Sequence, residues 1–299
     1  MQANALSNHS PQIHPAAKVH PRATVDPTAV IGEGAVIEAD SFVGPHCVIG
    51  PHTRIRTRAV IVEHTRIGAH NDVHPCAVLG GDPQDRAFTG EIRGELHIGD
   101  RNIFREGVTL SRGTNAGPPT RVGHNCYFMA GAHAGHNAQI GDNCILVNNS
   151  ALAGHTRIGN NVVLSLGASV HQFVNVGEGV MFQAGGAASM HVPPYVIVSI
   201  GTNGIVGLNR VGMRRNPNLT AQDRIEVKQA YREVYRHRAG ESRLEAIKEV
   251  LAMQPWGPAA RLFLGFIQDA LLEAPPRARG VCGPRSRKRA VMSSHDEME

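Results

Sequence analysis

The sequence predicts a mainly β protein, in which a parallel β-helix of hexapeptide repeats is followed by a small α-helical C-terminal domain. An aliphatic residue recurs at every sixth position, and the chain holds 33 glycines but only 8 Phe, 4 Tyr and 1 Trp. A core with few aromatic side chains suits short, closely stacked strands. After the repeat, polar capping patterns precede residues with helical apolar spacing, which predicts the helical domain.

The six-residue repeat begins at Ile13 and runs without exception to Leu79. All twelve positions are aliphatic, namely Ile13, Val19, Val25, Ile31, Ile37, Val43, Ile49, Ile55, Ile61, Ile67, Val73 and Leu79. This period fits neither an α-helix nor a half-buried strand. It fits a coil with three faces of six residues each, in which residues 18 positions apart stack on one another. Asn125, Asn143 and Asn161 have that spacing and are expected at corners that need a positive φ.

Two excursions interrupt the coils, one at 80–95 and one at 112–121. Loops that leave a rigid scaffold often carry binding residues. Between and after them the repeat resumes one residue out of phase, at Ile98, Phe104, Leu110, Val122, Phe128, Ala134, Ile140, Leu146, Leu152, Ile158, Leu164, Val170, Val176 and Phe182.

The chain leaves the β-helix at Pro193–Tyr195, because proline cannot continue a hydrogen-bonded ladder. Capping patterns at Thr220–Asp223 and Ser242–Glu245 predict the starts of two helices, and a third is expected from about Trp256 to Glu273. We therefore expect an N-terminal extension over 1–12, a β-helix over 13–197, a helical domain over 198–273 and a basic, disordered tail over 274–299.

The formal net charge of +5 does not indicate a nucleic-acid partner. The tail holds six Lys or Arg and three acidic residues and so contributes +3 of it, which leaves the folded part nearly balanced. No stretch approaches the ~20 apolar residues of a membrane helix, and the first fifteen residues lack the pattern of a secretory signal. Five cysteines without a CxxC pair predict reduced thiols, so we expect a cytoplasmic protein that does not insert into membranes.

Polar residues of the second half are predicted to converge on one edge of the prism. Stacking at 18 residues places Gly154–His155 next to His136, and His171–Gln172 next to Gly154–His155, with His133 close by. The column could be a zinc site, an acyl-transfer site or a polar ladder without function. Residues stacked along one edge do not naturally give the tetrahedral arrangement of ligands that zinc requires, and the column holds no carboxylate ligand. For acyl transfer, His136 can be the base and the Gly154 N–H the oxyanion donor.

Several motifs resemble those of the UDP-N-acetylglucosamine O-acyltransferases that begin lipid A synthesis. They are Ala132–His136, Asn148–His155, Val170–Phe173 and His191–Ile197, together with Gln84-Asp85, Gly99–Asn102, Arg105-Glu106 and Arg112-Gly113. The resemblance runs from about residue 13 to 255. Hexapeptide-repeat proteins of this kind have left-handed coils, and the resemblance implies a homotrimer with its sites in clefts between neighbouring prisms.

The resemblance also implies an enzyme without metal or cofactor, which transfers a 3-hydroxyacyl group from acyl carrier protein to the 3-hydroxyl of UDP-N-acetylglucosamine. His136 falls on the general base of the family and Gly154 on its oxyanion donor, while Ala184 falls on the acyl-chain pocket. The implied substrate contacts are Asp85, His133, His155, His171, Gln172 and Arg215.

A basic stripe marks the first predicted long helix. Arg224, Lys228, Arg232 and Arg236 are spaced by four and share one face. From the residues alone, this stripe is either a solvated face or a dock for an acidic partner. The acidic acyl carrier protein implied by the resemblance favours the dock.

Three positions depart from the family pattern. Ala87, beside Arg86, stands where the family usually has Lys, Asn137 stands where it usually has Asp, and Ala184 replaces a common Gly. They indicate either a divergent member or a paralogue that acylates another nucleotide sugar, such as a 3-amino sugar. A trimeric zinc hydratase of the carbonic anhydrase type is a third alternative, since the hexapeptide repeat alone does not specify function.

Overall fold

The computed structural model describes residues 10–90, 94–114, 118–238 and 242–284. It confirms the predicted fold class, because the first two hundred or so residues form a three-sided β-helix and helices follow. Most of the predicted N-terminal extension, parts of both loops and the end of the predicted tail lie outside the described residues, at 1–9, 91–93, 115–117 and 285–299.

The β-helix is built from short strands that follow one another at the hexapeptide spacing. In chain order they are β1 (Gln12–Ile13), β2 (Lys18–Val19), β3 (Thr24–Val25), β4 (Val30–Ile31), β5 (Val36–Ile37), β6 (Phe42–Val43), β7 (Val48–Ile49), β8 (Arg54–Ile55), β9 (Val60–Ile61), β10 (Thr65–Ile67), β11 (Asp72–Val73), β12 (Val78–Gly81), β13 (Leu96–Ile98), β14 (Ile103–Phe104), β15 (Thr109–Ser111), β16 (Thr120–Val122), β17 (Tyr127–Phe128), β18 (His133–Ala134), β19 (Gln139–Ile140), β20 (Ile145–Leu146), β21 (Ala151–Leu152), β22 (Arg157–Ile158), β23 (Val163–Leu164), β24 (Ser169–Val170), β25 (Asn175–Val176), β26 (Met181–Phe182), β27 (Gly186–Ala188), β28 (Val196–Val198), β29 (Gly201–Thr202), β30 (Gly204–Leu208) and β31 (Gly283–Pro284).

Every third strand joins the same sheet, so the prism has three faces. Sheet A runs from β1 to β25, sheet B from β2 through β26 to β28, β30 and β31, and sheet C from β3 to β29. Neighbouring coils pair in parallel and in register, as in Val30↔Val48 and Ile31↔Ile49, and only β28 and β30 pair antiparallel among the described strands. A residue therefore lies above the one 18 positions earlier wherever no loop intervenes.

The aliphatic position of each hexapeptide points into the prism and forms its core. Leu79, Leu146 and Phe182 are all fully buried, as are the small residues Ala35 and Ala138 that pack beside this column. The predicted corner asparagines adopt the left-handed conformation, with φ of 56° at Asn125, 57° at Asn143 and 58° at Asn161. These corners turn the chain by 120° or so without breaking the ladder.

The two loops leave the prism without disturbing its register. Across the first loop, stacked partners are 31 residues apart, as for Asn71 and Asn102, and across the second they are 24 apart, as for Thr109 and His133. Buried Arg112 ties the first loop down, because its guanidinium pairs with Glu63 at 2.7 Å and with Asp82. The loops are therefore insertions on an unbroken scaffold.

The C-terminal region begins with strands, which corrects the predicted start of the helical domain at 198. β28 and β29 extend sheets B and C in parallel, and β30 then pairs antiparallel with β28, so strands continue to Leu208. The helices that follow are α1 (Arg210–Arg215), α2 (Ala221–Arg232), a π-helix (Glu233–His237), α3 (Arg243–Ala252) and α4 (Pro258–Leu272). No helix among the described residues is long and apolar enough to cross a membrane.

The two predicted capping patterns have different outcomes. Thr220 and Asp223 form a complete capping box at the start of α2, as predicted. The box predicted at Ser242 was wrong, because α3 begins there but the Ser242 side chain makes no capping hydrogen bond. Packing stabilises α3 in the absence of that capping hydrogen bond, since Ala246, Ile247 and Val250 are fully buried.

The expected disordered tail is wrong for residues 274–284, which fold back onto the β-helix. Val281 and Cys282 are buried, and the Cys282 carbonyl accepts a hydrogen bond from the Tyr235 hydroxyl at 3.1 Å. Main-chain bonds to His191 fix the segment from the other side. Composition did not reveal this, because only two apolar residues anchor a segment that is otherwise rich in Pro, Gly and Arg.

The corner asparagines allow a test of backbone strain at positive φ. Asn143 is exposed and left-handed, so Asn143→Ala should lower the free energy of unfolding by about 1 kcal/mol, because a Cβ without a compensating polar group is strained there. Asn143→Gly is the matched control and should cost less than the Ala variant. Urea denaturation measures both, and a smaller loss for Ala than for Gly would contradict the strained-corner account.

Candidate active site

A cavity of about 350 Å³ opens on sheet C at the corner that leads to sheet A. Its polar lining includes four residues selected from the sequence, namely His133, His136, Gln172 and Gln84, together with Ser169. Gly154 and the strand residues between these positions complete the wall. The 18-residue register thus brings together groups that are far apart in the sequence.

The ring of His136 is held in one tautomer by its neighbour Asn137. His136 is nearly buried, and its Nδ1 lies 2.9 Å from Asn137 Oδ1. The Asn137 amide has a fixed orientation, because its oxygen also accepts from the Thr114 N–H at 3.2 Å and its nitrogen donates to the Pro118 carbonyl at 3.2 Å. His136 Nδ1 must therefore carry the proton, which leaves Nε2 as a free acceptor.

Gly154 lies directly against this free nitrogen. A Cβ built on Gly154 would be 2.6 Å from His136 Nε2 and 2.6 Å from Cε1, which is too close for any side chain. None of the hydrogen bonds among the described residues uses the Gly154 N–H. A backbone donor without a partner beside an unprotonated imidazole nitrogen is the pairing that acyl transfer to a hydroxyl requires.

Two further histidines surround His136 and are held neutral. Burial, with His136 nearby, lowers the pKa of His133, whose Nδ1 lies 2.8 Å from the Thr109 hydroxyl. Burial also lowers the pKa of His155, and the charges of His136 and Arg277 add to this effect. The His155 ring meets that of His136 edge-on at 5.1 Å and stacks on Phe173 at 4.8 Å.

The first loop brings Asp85 to the site. Asp85 Oδ1 accepts the Ala87 N–H at 2.9 Å, and its carboxylate acts electrostatically on His155, whose pKa it raises. Buried Arg112, with its guanidinium 5.6 Å from the centre of the Phe88 ring, holds the base of this loop. Arg86 and Ala87 are both exposed on the same loop.

Five of the predicted site residues do not line this cavity, namely Asp85, His155, His171, Arg215 and Ala184. His171 is exposed beside Gln172, and its Nδ1 lies 3.2 Å from the Gln172 carbonyl oxygen. Arg215 is exposed at the end of α1. Ala184 is exposed at the corner between sheets B and C, so it and His136 lie at opposite edges of sheet C.

The residues that contact the site histidines or Asn137 from other elements were not predicted from the sequence. Thr109, Thr114 and Arg277 each contact a site histidine or its partner, yet none belongs to a recognisable motif. The register could have revealed Thr109, because it precedes His133 by one coil with the loop insertion included. Among the described residues, no group of three or more His, Cys, Asp or Glu side chains could hold a metal ion.

Comparison with known proteins identifies the family of this chain. Residues 191–282 match the family described as Udp N-acetylglucosamine O-acyltransferase, domain 2, and residues 119–154 match the bacterial transferase hexapeptide family. An acyl-[acyl-carrier-protein]–UDP-N-acetylglucosamine O-acyltransferase of Anaeromyxobacter sp. (strain Fw109-5) is 44% identical over 190 residues, which cover 63% of this chain and 72% of that protein. The corresponding protein of Aeromonas salmonicida (strain A449) is 41% identical over 216 residues, covering 72% and 81%.

Solved structures give the same assignment. The Arabidopsis UDP-N-acetylglucosamine acyltransferase superposes with a TM-score of 0.81 at 29% identity, and the enzyme from Bacteroides fragilis 9343 with 0.76 at 34%. Each comparison covers 90% of this chain and 99% of the other. The β-helix, the loops, the histidine corner and these relatives together show that this chain is an acyltransferase and belongs to the UDP-N-acetylglucosamine O-acyltransferase family.

Proposed function

We propose that this enzyme transfers a 3-hydroxyacyl group from acyl carrier protein to the 3-hydroxyl of UDP-N-acetylglucosamine, the first step of lipid A biosynthesis, in the cytoplasm. The observation that carries the proposal is the free Nε2 of His136 against the unpaired N–H of Gly154. The two substrates are those named for the related acyltransferases of Anaeromyxobacter and Aeromonas.

The chemistry follows from these two groups. His136 Nε2 takes the proton of the sugar hydroxyl as the oxygen attacks the thioester carbonyl carbon. The Gly154 N–H donates to the oxyanion that forms, and His136 returns its proton to the sulfur as the carbon–sulfur bond breaks. Asn137 holds the Nδ1 proton throughout, so the ring does not change tautomer between the two transfers.

The remaining predicted residues are proposed to bind substrate. His133, His155, His171, Gln172 and Asp85 would hold the sugar and acyl groups. Arg215 would contact the nucleotide end and Ala184 the acyl chain. Because neither Arg215 nor Ala184 lines the cavity of its own chain, we propose that the site is completed between chains of a homotrimer.

A basic groove next to α2 is proposed to receive the acyl carrier protein. It has a volume of about 540 Å³ and no acidic residue in its lining. Met213, Ile225 and Tyr231 form its apolar surface. The cations that line it are Arg210, Arg214, Arg224, Lys228, Arg232 and Arg236. Six positive charges around an apolar floor suit an acidic protein that carries an acyl group, and this favours a dock over a solvated stripe.

The product assay tests the reaction directly. The purified enzyme with 3-hydroxyacyl carrier protein and UDP-N-acetylglucosamine should form the 3-O-acyl product, and His136→Ala should lower kcat about 10²–10⁴-fold while the fold is kept. His97→Ala, which removes a partly exposed histidine from sheet A, is the control and should keep its activity. Turnover near normal in His136→Ala excludes this mechanism. If product forms only with a 3-amino nucleotide sugar, the enzyme is instead a paralogue that acylates that sugar.

Asn137 determines how the reaction depends on pH. A carboxylate at this position favours the imidazolium that forms on His136, so Asn137→Asp should move the acid limb of the pH–rate profile to higher pH. Asn143→Asp, at an exposed corner elsewhere, should leave the limb in place. An unmoved limb in Asn137→Asp would mean that the contact between the two side chains has no role in catalysis.

The basic groove predicts a charge-dependent Michaelis constant. In the Lys228→Glu, Arg232→Glu double variant, KM for the acyl carrier protein substrate should rise about 10-fold or more at low salt, with little change in kcat. Lys18→Glu, at an exposed position on β2, is the matched control. If KM stays the same in the double variant, the carrier protein docks elsewhere.

A further inference from the structure

The C-terminal segment 274–284, which we call the strap, reaches the corner that carries the catalytic histidine. The strap leaves α4, bonds to His191 through Gly280 and Cys282, and ends by pairing with β30. Tyr235 and Arg243 of the helical region hold its far side through the carbonyls of Cys282 and Val281. Both ends of the strap are therefore fixed.

One arginine of the strap extends to the site column. Arg277 Nη2 donates to the His155 carbonyl at 2.9 Å, and Nη1 donates to Asn175 Oδ1 at 2.9 Å and to the Phe173 carbonyl at 3.3 Å. Its guanidinium lies 5.9 Å from the centre of the Phe173 ring, on which His155 stacks. Arg277 thus binds two successive coils of the corner at once.

The corner that Arg277 holds is strained and adjoins the base. His155 and Phe173 both adopt left-handed conformations, with φ of 58° and 67°, which side chains of this size rarely adopt. The ring of His155 is in edge-on contact with that of His136. A shift of the corner would therefore move the base relative to Gly154.

We propose that Arg277 is a positioning residue for acyl transfer: it fixes the His155–Phe173 corner against His136. This inference rests on the proposed function. It gives the strap a role that neither the family motifs nor the cavity lining assigned, because the side chain acts through a main-chain carbonyl and an aromatic stack.

The charge of His155 matters because His136 becomes positive in the transition state. A second cation about 5 Å away would oppose that step. Three charged groups face His155, namely His136 from the same corner, Asp85 from the first loop and Arg277 from the strap. Arg279 also lies 6.0 Å from the centre of the Phe173 ring, on which His155 stacks. Arg277 lowers the pKa of His155 and Asp85 raises it, so removal of Arg277 makes His155 titrate at higher pH.

The test compares the full chain with Arg277→Ala and Arg277→Lys. In Arg277→Ala, we expect kcat/KM to fall about 10-fold and the acid limb of the pH–rate profile to move to higher pH. Arg277→Lys keeps the charge, so the acid limb of its pH–rate profile should stay in place and its kcat/KM should fall less than that of Arg277→Ala. Arg22→Ala, which removes an exposed arginine from the first coils, is the control and should behave as the unmodified enzyme.

A second measurement does not depend on activity. The His155 ring resonance, followed by NMR against pH, should titrate at higher pH in Arg277→Ala than in the unmodified protein. If Arg277→Ala does not fold, Arg277→Gln takes its place, since it keeps a donor but removes the charge. Activity within twofold and an unmoved limb overturn the proposal. If the unmodified enzyme makes no product, the proposed function fails, and an unchanged His155 titration then overturns the role of Arg277 as well.

Discussion

The hydrogen bonds between successive coils are the constraint on which the rest of the molecule depends. Most strands have two or three residues, too short to be stable alone, and are held by main-chain bonds to neighbouring coils. These bonds keep residues 18 positions apart in line, so a side chain at one corner lies next to the residue at the same corner of the following coil. A polar column can therefore be assembled from one residue per coil, as His136, Gly154 and Gln172 are.

The loops extend this scaffold without weakening it. Both are inserted at corners, and the strands on either side still pair with the coil before them. The first loop is fixed by a buried guanidinium, and the second supplies Thr114 and Pro118, which orient the Asn137 amide. The rigid coil thus provides His136, and the second loop provides the contacts that determine which of its ring nitrogens is free.

The coil could be predicted almost completely from the sequence, because its signal is periodic and each repeat is local. The positions of His136 and Gly154 followed from that period by counting. The contacts from Thr114 and Arg277 could not be counted, because they come from segments outside the repeat. The strap was misjudged for the same reason: burial of Val281 and Cys282 depends on surfaces built by distant residues, which composition cannot reveal. The start of the helical region was misplaced because β30 pairs antiparallel and has no six-residue period.

The neutral amide at Asn137 changes how the electrostatics of the site are distributed. An asparagine orients the ring of His136 but adds no charge to stabilise the imidazolium. The carboxylate that acts on His155 is then Asp85, which belongs to a loop, and the fixed cation that acts on it is Arg277, which belongs to the strap. Their opposite effects on His155 mean that the charge balance around the base depends on two segments outside the repeat. The coil determines where the proposed base lies, and the segments that cross it supply the charges around it.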